Sequence, residues 1–175
     1  MGDAVILDST LNLLRGILEK VEFTLLSYNP TIDAKRCDVK VLEAIGISWK
    51  SFSKTIWLLL RSLLWAIAQR IAHLKIEWLI DDPILQEYAN ADVIVVRGGD
   101  VLTEDYGTPS LVSHLLSIWI AVLMQRPIIL LGHTIGPFGK IKYLVKTILN
   151  EVDLIILREK NSRKYLRLYN ISKPF

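Results

Sequence analysis

The sequence predicts an α/β protein whose sheet is doubly wound and mainly parallel, with helices on both faces. Three aliphatic runs follow one another in the second half of the chain, at residues 92–96 (DVIVV), 127–131 (PIILL) and 153–157 (DLIIL). Nearly continuous apolar runs of this length are typical of strands that are covered on both faces in a parallel sheet. A helix-length segment follows each run, as a parallel crossover requires. Because the 175 residues are about one domain's worth of chain, we expect residues 1–175 to form a single Rossmann-like domain.

The elements that precede these runs are predicted from apolar spacing and turn residues. Residues 3–19 place apolar side chains near helical spacing and predict an amphipathic helix. Residues 21–27 (VEFTLLS) predict a strand that ends at the turn residues Asn29 and Pro30. A weaker strand pattern covers residues 38–42.

A long apolar helix is predicted at residues 55–74, and its environment has three interpretations. Eleven of the thirteen residues in its central window, 56–68, are apolar, with Arg61 and Ser62 as the interruptions. A transmembrane span needs about 20 apolar residues, so core packing is the favoured interpretation. The alternative of lying on a bilayer surface is supported by Trp57 and Trp65 and by basic flanking residues. These flanking residues are Lys50, Lys54, Arg70 and Lys75.

The other helices are predicted from the residues at their starts. A short helix at residues 83–88 has Asp82 as its N-cap and Pro83 at its first position. A longer helix follows, with Thr108 as its N-cap and Pro109 at its first position. The remaining helices are predicted at residues 140–150 and 160–169.

Composition and charge exclude several classes of protein. Hydrophobic residues make up 51% of the chain, which is far more than a disordered chain carries. The single Cys37 excludes an internal disulfide and a four-cysteine zinc site, and it fits a reducing compartment. The net charge of +3 is too small to predict a nucleic-acid partner. Residues 140–175 nevertheless carry nine Lys and Arg against three Asp and Glu, which suits an anionic ligand, a membrane surface or two solvated helix faces.

The loops after the three aliphatic runs are the candidate functional site. In an open parallel sheet, ligands bind beyond the carboxyl ends of the strands. Glycines in these loops allow positive φ and close backbone approach, and Arg158 offers a fork that suits a phosphate or carboxylate. The residues predicted along this edge are Arg97, Gly98, Gly99, Asp100, His133, Thr134, Gly136, Arg158 and Glu159.

Each of these residues also has a purely structural interpretation. The Gly98-Gly99 pair is typical of a tight turn, and His133 could be a hydrogen-bonded loop histidine. Arg158 could pair with Asp153 or Glu159, while Asp100 and Asp105 could cap the next helix. Their shared placement at one edge is what favours a ligand site.

The motifs of several well-known sites are absent from the sequence. It contains no GxGxxG, no GxxxxGK[ST], no GxSxG and no HExxH. The three histidines, His73, His114 and His133, lie on different elements without metal-ligand spacing. We therefore predict neither a metal nor an organic cofactor.

Three segments between residues 91 and 166 carry linked motifs, namely ADVIVVRGGDVLTEDYG, RPIILLGHTIGPF and DLIILREKNSRKYL. They resemble the polysaccharide pyruvyl transferase family, whose members show G-G-G-x-L-x-x-D, then V-x-L-G-Q-S-I-G-P-F, then a strand followed by R-E-x-x-S. The opening GDAVIL is similar to the family's N-x-G-D-x-A-I-L start. The matching residues are Gly98, Gly99, Leu102 and Asp105; Gly132, Ile135, Gly136, Pro137 and Phe138; and Arg158, Glu159 and Ser162.

The sequence departs from the family pattern within two of its motifs and at its two ends. Asp100 stands where the third glycine is usual, and His133 and Thr134 stand where Gln-Ser is usual. The strand that normally precedes the opening motif is missing, and the chain stops about where the family's second α/β half would begin. By resemblance, the complete enzyme has two such halves in a GT-B-like layout, with a cleft between them.

The resemblance implies transfer of the enolpyruvyl group of phosphoenolpyruvate to sugar hydroxyls, which forms a pyruvate ketal in cell-surface or exopolysaccharide biosynthesis. Arg158 would then clamp the anionic donor, while His133 or Asp105 would orient or deprotonate hydroxyls of the acceptor. The predicted partners are phosphoenolpyruvate and a glycan or lipid-linked sugar, with no nucleic acid. A lipid-linked acceptor favours a cytoplasmic enzyme that works at the inner face of the membrane, with peripheral membrane contact.

Two other functions fit the same sequence. One is a GT-B-like glycosyltransferase that uses a nucleotide-sugar donor in the same crevice. The other is a non-catalytic, truncated remnant of the family.

Overall fold

A computed structural model describes residues 2–46, 52–74 and 76–174, which form five strands and seven α-helices. The strands are β1 Thr24–Ser27, β2 Lys40–Glu43, β3 Ile94–Arg97, β4 Ile128–His133 and β5 Leu154–Leu157. The helices are α1 Gly2–Ile17, α2 Pro30–Asp33, α3 Phe52–Ile67, α4 Pro83–Asn90, α5 Thr108–Leu123, α6 Lys142–Leu149 and α7 Lys160–Leu168. All paired strands are parallel. The predicted α/β class is therefore confirmed.

The described chain divides into two compact units, one up to Ile45 and one from Gly46 onward. In the first unit, β1 and β2 form a parallel pair, with Thr24 opposite Lys40. The Asn29-Pro30 turn continues into the short helix α2, which the sequence pattern does not predict. Proline starts a helix easily because its fixed φ fits the first helical position.

The second unit contains the three-stranded sheet that the aliphatic runs predict. Its strand order is β3-β4-β5, with Ile94 opposite Ile128 and Ile129 opposite Leu154. α5 connects β3 to β4, α6 connects β4 to β5, and the two helices pack on each other. The fully buried side chains of this unit include Leu85, Leu111, Leu115, Ile118, Ile120, Ile128, Leu130, Leu149 and Ile155.

Two of the predicted helix starts can be compared with the structure. The prediction for α4 is confirmed, because Asp82 accepts a hydrogen bond of 2.9 Å from the backbone N–H of Ile84. The prediction for α5 is wrong by one residue, since the N-cap is Gly107 and Thr108 is already helical. The cap position has φ +87°, which glycine adopts without the steric cost that threonine would meet.

The long apolar helix is buried on one side only, which corrects the expectation of core packing. α3 continues into a π-helical segment at Ala68–Ala72, and it buries Thr55, Leu58, Arg61, Ser62 and Ala66. Arg61 is 9% exposed and donates to the carbonyls of Leu79 and Trp78 and to the carboxylate of Asp81. Several apolar side chains on the opposite side of the helix are exposed: Phe52, Ile56, Trp57, Leu60, Leu63, Leu64 and Ile67. Among the described residues, no helix has both the length and the apolar character needed to cross a bilayer.

Candidate functional site

The loops that follow β3, β4 and β5 meet at one edge of the sheet, as the sequence predicts. The N–H of Thr134, after β4, donates to the carbonyl of Gly99, after β3, at 2.9 Å. The N–H of Arg158, after β5, donates to the carbonyl of His133 at 3.0 Å. These two main-chain bonds join all three loops directly.

The loops after β3 and β4 run side by side beyond the sheet. Leu102 and Ile135 form an isolated parallel bridge, and the N–H of Gly136 donates to the carbonyl of Leu102 at 2.9 Å. Farther along, the N–H of Glu104 donates to the carbonyl of Pro137 at 3.2 Å. This pairing holds residues 99–104 in a defined position next to the loop that follows β4.

The two glycines after β3 have different surroundings. Gly98 is buried, and a Cβ built on it would overlap the carbonyl oxygens of Leu131 and Gly132. A Cβ on Gly99 would have Val101 Cγ1 as its nearest atom, at 3.8 Å. Neither glycine has a positive φ, contrary to the expectation for a tight turn. Gly98 is therefore required by the close approach of β4.

Gly136 is the loop glycine that needs both a positive φ and the absence of a side chain. Its φ is +79°, in the region that favours glycine. A Cβ on this residue would lie 2.6 Å from Cγ of Tyr165 in α7. Because Gly136 is buried, it shapes the loop but offers little surface to a ligand.

Ser162, in the third family-like motif, connects α7 to the loop after β4. Its hydroxyl accepts a hydrogen bond of 2.8 Å from the N–H of Ile135, and the residue is 1% exposed. The serine of this motif therefore holds the second motif in place through the backbone.

Replacing Ser162 with alanine is expected to lower the free energy of unfolding by about 1–3 kcal/mol, because the N–H of Ile135 would be left buried without an acceptor. Urea unfolding of the variant measures the loss. Ser53→Ala, at an exposed position on α3, is the matched control and should change the free energy of unfolding by less than about 0.5 kcal/mol. Equal stabilities for the two variants would contradict the structural role of Ser162.

Glu104 supports the same loop and was not singled out by the sequence pattern. Its carboxylate accepts hydrogen bonds from the N–H groups of Lys140 and Ile141, at 3.3 and 3.2 Å. Glu104 thus joins the loop after β3 to the start of α6, where a negative charge also complements the helix dipole.

Asp100, Tyr106 and Arg158 form the exposed polar group of this edge. The hydroxyl of Tyr106 donates to the carboxylate of Asp100. This hydrogen bond holds the pKa of Asp100 below its ordinary value against the opposing effect of desolvation, and the charge of Arg158 lowers the pKa further. The same bond raises the pKa of Tyr106. Tyr106 has no place in the family-like motif, and no spacing rule predicts its contact with Asp100.

Arg158 does not make the ion pairs that its neighbours in sequence could offer. Within the described residues, no carboxylate lies within ion-pair distance of its guanidinium. The carboxylate of Asp153 instead accepts a hydrogen bond of 2.8 Å from the N–H of Ile128. Glu159 is exposed beside Arg158 and occupies the N-cap position of α7 without a side-chain cap hydrogen bond. Arg158 is therefore an exposed cation at the end of β5.

The remaining polar candidates, Asp105 and Thr134, lie in the same loops, and no carboxylate of these loops caps α5. Asp105 is exposed, and its backbone N–H donates to the hydroxyl of Thr103 at 3.2 Å. Since Gly107 is the N-cap of α5, neither Asp100 nor Asp105 caps that helix. Thr134 is half-buried between the two long loops.

His133 lies beneath the edge and has no exposed surface. Its Nε2 is 3.1 Å from the carbonyl oxygen of Val96, and a carbonyl can only accept, so Nε2 carries the hydrogen. Its Nδ1 is buried and has no hydrogen-bond partner in the described part of the chain. Burial lowers the pKa of His133 to about 4, which makes the ring neutral at physiological pH. In this position His133 contacts β3, and its predicted contact with an acceptor hydroxyl stays a prediction.

The buried imidazole predicts that acid destabilises the fold. The pKa of His133 falls from 6.5 to about 4 on folding, so the unfolded chain binds more protons below about pH 6.5. The free energy of unfolding should therefore decrease from about pH 6.5 down to about pH 4, by about 3 kcal/mol in all. Urea unfolding at several pH values measures this slope.

A variant isolates the contribution of His133 from that of the carboxyl groups. His133→Gln keeps an N–H donor for the carbonyl of Val96 but does not titrate, so its slope between about pH 6.5 and pH 5 should be shallower. Identical slopes for wild type and His133→Gln would contradict the prediction.

The chemistry that this edge offers comes from one exposed guanidinium, a Tyr-bonded carboxylate and nearby carboxylates. Such a set can bind an anion and hydrogen-bond to hydroxyl groups. The described residues contain no group of three or more His, Cys, Asp or Glu side chains arranged to hold a metal ion.

Comparison with known proteins gives a family match over the whole chain. The family model described as polysaccharide pyruvyl transferase matches residues 1–175. No curated protein and no solved structure matches the chain.

Proposed function

The chain belongs to the polysaccharide pyruvyl transferase family, and from this premise we propose that the edge formed by Asp100, Tyr106 and Arg158 binds phosphoenolpyruvate and a sugar acceptor. The reaction would transfer the enolpyruvyl group to two hydroxyls of the sugar and release phosphate. The observation that carries the proposal is the exposed Arg158, held by main-chain bonds beside the Asp100–Tyr106 pair.

Arg158 supports the donor part of the proposal. Phosphoenolpyruvate carries a phosphate and a carboxylate, and a guanidinium binds either group through two parallel N–H donors. No carboxylate of the described chain forms an ion pair with the guanidinium of Arg158, so a donor anion would not have to displace a carboxylate. Other cations of the family's second half would complete the clamp.

Asp100 and Tyr106 support the acceptor part of the proposal. The pKa of Asp100 is held below its ordinary value by Tyr106, so its carboxylate is ionised at neutral pH and accepts hydrogen bonds from sugar hydroxyls. Tyr106 is 60% exposed, and its ring offers a flat apolar surface beside that carboxylate. Asp105 directly precedes Tyr106 in the same loop and would orient or deprotonate a hydroxyl.

The proposed reaction balances as an addition followed by a substitution. A general acid protonates the methylene carbon of the enol, and one sugar hydroxyl adds to the adjacent carbon as it loses its proton to a base. Phosphate then leaves from that carbon with the electrons of the C–O bond, and the second hydroxyl takes its place. The two hydroxyls release two protons in total. One replaces the proton that the general acid gave to the methylene carbon, and the other leaves with phosphate or stays on the base. Arg158 would stabilise the charge that develops on the leaving phosphate.

The buried residues of the edge would act indirectly. His133 would keep the end of β4 in register with Val96, and Gly98 and Gly136 would shape the floor beneath Asp100 and Thr134. Glu159 and Thr134 would contribute polar contacts at the margin. We place this chemistry in cell-surface or exopolysaccharide assembly in the cytoplasm, with a glycan or lipid-linked sugar as the acceptor.

Phosphate release from phosphoenolpyruvate, measured with a panel of glycan acceptors, tests the proposal. We expect release that depends on the acceptor, together with binding of phosphoenolpyruvate by titration calorimetry. Release that required a nucleotide-sugar donor would instead support a glycosyltransferase. Absence of both binding and release would favour the non-catalytic alternative.

A further inference from the structure

The outer face of α3 is an apolar surface that the fold leaves exposed. We define it as Phe52, Ile56, Trp57, Leu60, Leu63, Leu64 and Ile67, together with Ile71 in the π-helical continuation, which are between 41% and 78% exposed. Their spacing follows the helical repeat, so they form one continuous stripe. A helix of about twenty residues extends about 30 Å. An exposed apolar stripe of this length marks an interaction surface rather than scattered surface residues.

Arg61 sets the rotation of α3 that turns this stripe outward. Its guanidinium points to the opposite side of the helix, where it donates to the carbonyl of Leu79 at 2.9 Å and also bonds Trp78 and Asp81. Rotating the stripe inward would break all of these bonds and leave Arg61 without its partners. The exposure of the outer face is therefore fixed by the same contacts that hold α3 in the fold.

The sequence of α3 and its flanking residues carries charge of one sign. Between Glu43 and Glu77 the sequence has no Asp or Glu, while it has five Lys and Arg. One of the five, Arg61, is used inside the fold, whereas Arg70 is exposed next to the stripe. An apolar helix face in a segment whose charged residues are all basic matches a surface of acyl chains and anionic headgroups.

We propose that the outer face of α3 docks on an anionic lipid bilayer, with the helix lying in the plane of the interface. Trp57, within this face, is 57% exposed, and tryptophan favours the headgroup level of a membrane. A second copy of the chain fits less well, because a symmetric contact would bring like charges together. This inference goes beyond the proposed transfer reaction and does not depend on it.

Sedimentation with lipid vesicles tests the docking surface on the full chain. We expect binding to vesicles of phosphatidylcholine mixed with phosphatidylglycerol, and binding weaker by roughly ten-fold to phosphatidylcholine alone. The double variant Leu60→Glu, Leu64→Glu should bind the mixed vesicles at least roughly ten-fold more weakly. Leu168→Glu is the matched control, because Leu168 is an exposed leucine on a different helix, α7, and it should bind like wild type.

Three results would overturn the proposal. The first is a wild-type chain that does not bind the mixed vesicles, and the second is a double variant that binds them as wild type does. The third is a double variant that dissociates a dimer without weakening vesicle binding, which would assign the face to a second copy. Thermal unfolding confirms that the variants are folded. Because no donor or acceptor is present, this experiment fails or succeeds independently of the transfer reaction.

Discussion

Replacing Arg158 with alanine is expected to lower kcat/KM for acceptor-dependent phosphate release by about 100- to 1000-fold. This is the usual loss when one group that stabilises transition-state charge is removed. The expectation rests on the exposure of Arg158, on its lack of an ion pair in the described residues and on its backbone bond to His133. Steady-state kinetics with phosphoenolpyruvate as the varied substrate measures the loss.

Two further variants distinguish a clamp from a general charge effect. Arg158→Lys keeps the charge but not the fork, so it should recover only part of the lost activity. Arg167→Ala removes an exposed arginine from the last turn of α7 and should leave kcat/KM within about two-fold of wild type. A folded Arg158→Ala variant with wild-type kinetics would show that the donor is not held at this edge.

Replacing Gly98 with alanine is expected to destabilise the protein by about 3 kcal/mol or more, or to prevent folding. The added Cβ would overlap the carbonyl oxygens of Leu131 and Gly132. These atoms belong to the backbone of a central strand and cannot move aside as a flexible side chain can. Urea unfolding, or the yield of soluble protein, measures the effect.

Gly99→Ala provides the matched control one residue away. Its Cβ would meet only Val101 Cγ1, at 3.8 Å, and its φ is not positive. We therefore expect a change of less than about 1 kcal/mol in the free energy of unfolding. Equal stability of the two alanine variants would contradict the close approach of β4 to Gly98.

The arrangement of the strands and the placement of the loops could be predicted from the sequence. Aliphatic runs of strand length, each followed by a helix-length segment, predict parallel strands, and parallel strands place their carboxyl ends at one edge. The bonds between Gly99 and Thr134 and between His133 and Arg158 confirm this. The family resemblance drawn from the same loops is confirmed over the whole chain.

The environment of individual side chains could not be predicted in this way. His133 and Asp100 both lie at or after the end of a strand, yet His133 is fully buried and Asp100 is exposed. His133 still pairs with Leu157 of β5 after an irregular register at the end of β4, and no local pattern indicates that pairing. Likewise, Tyr106 donates a hydrogen bond to Asp100. Between these two residues, Leu102 pairs with Ile135 in the loop that follows β4, and this long-range pairing shapes the loop.

The sequence by itself determined the alternation of strands and helices and the edge at which the polar loops lie, because these depend on local periodicity and on chain connectivity. Only the tertiary structure decided that Gly98 serves the approach of β4, that Arg158 has no ion pair within the described chain and that α3 turns its apolar side outward. These properties depend on contacts between segments far apart in the chain. No local pattern encodes such contacts, since burial is a property of the packed structure.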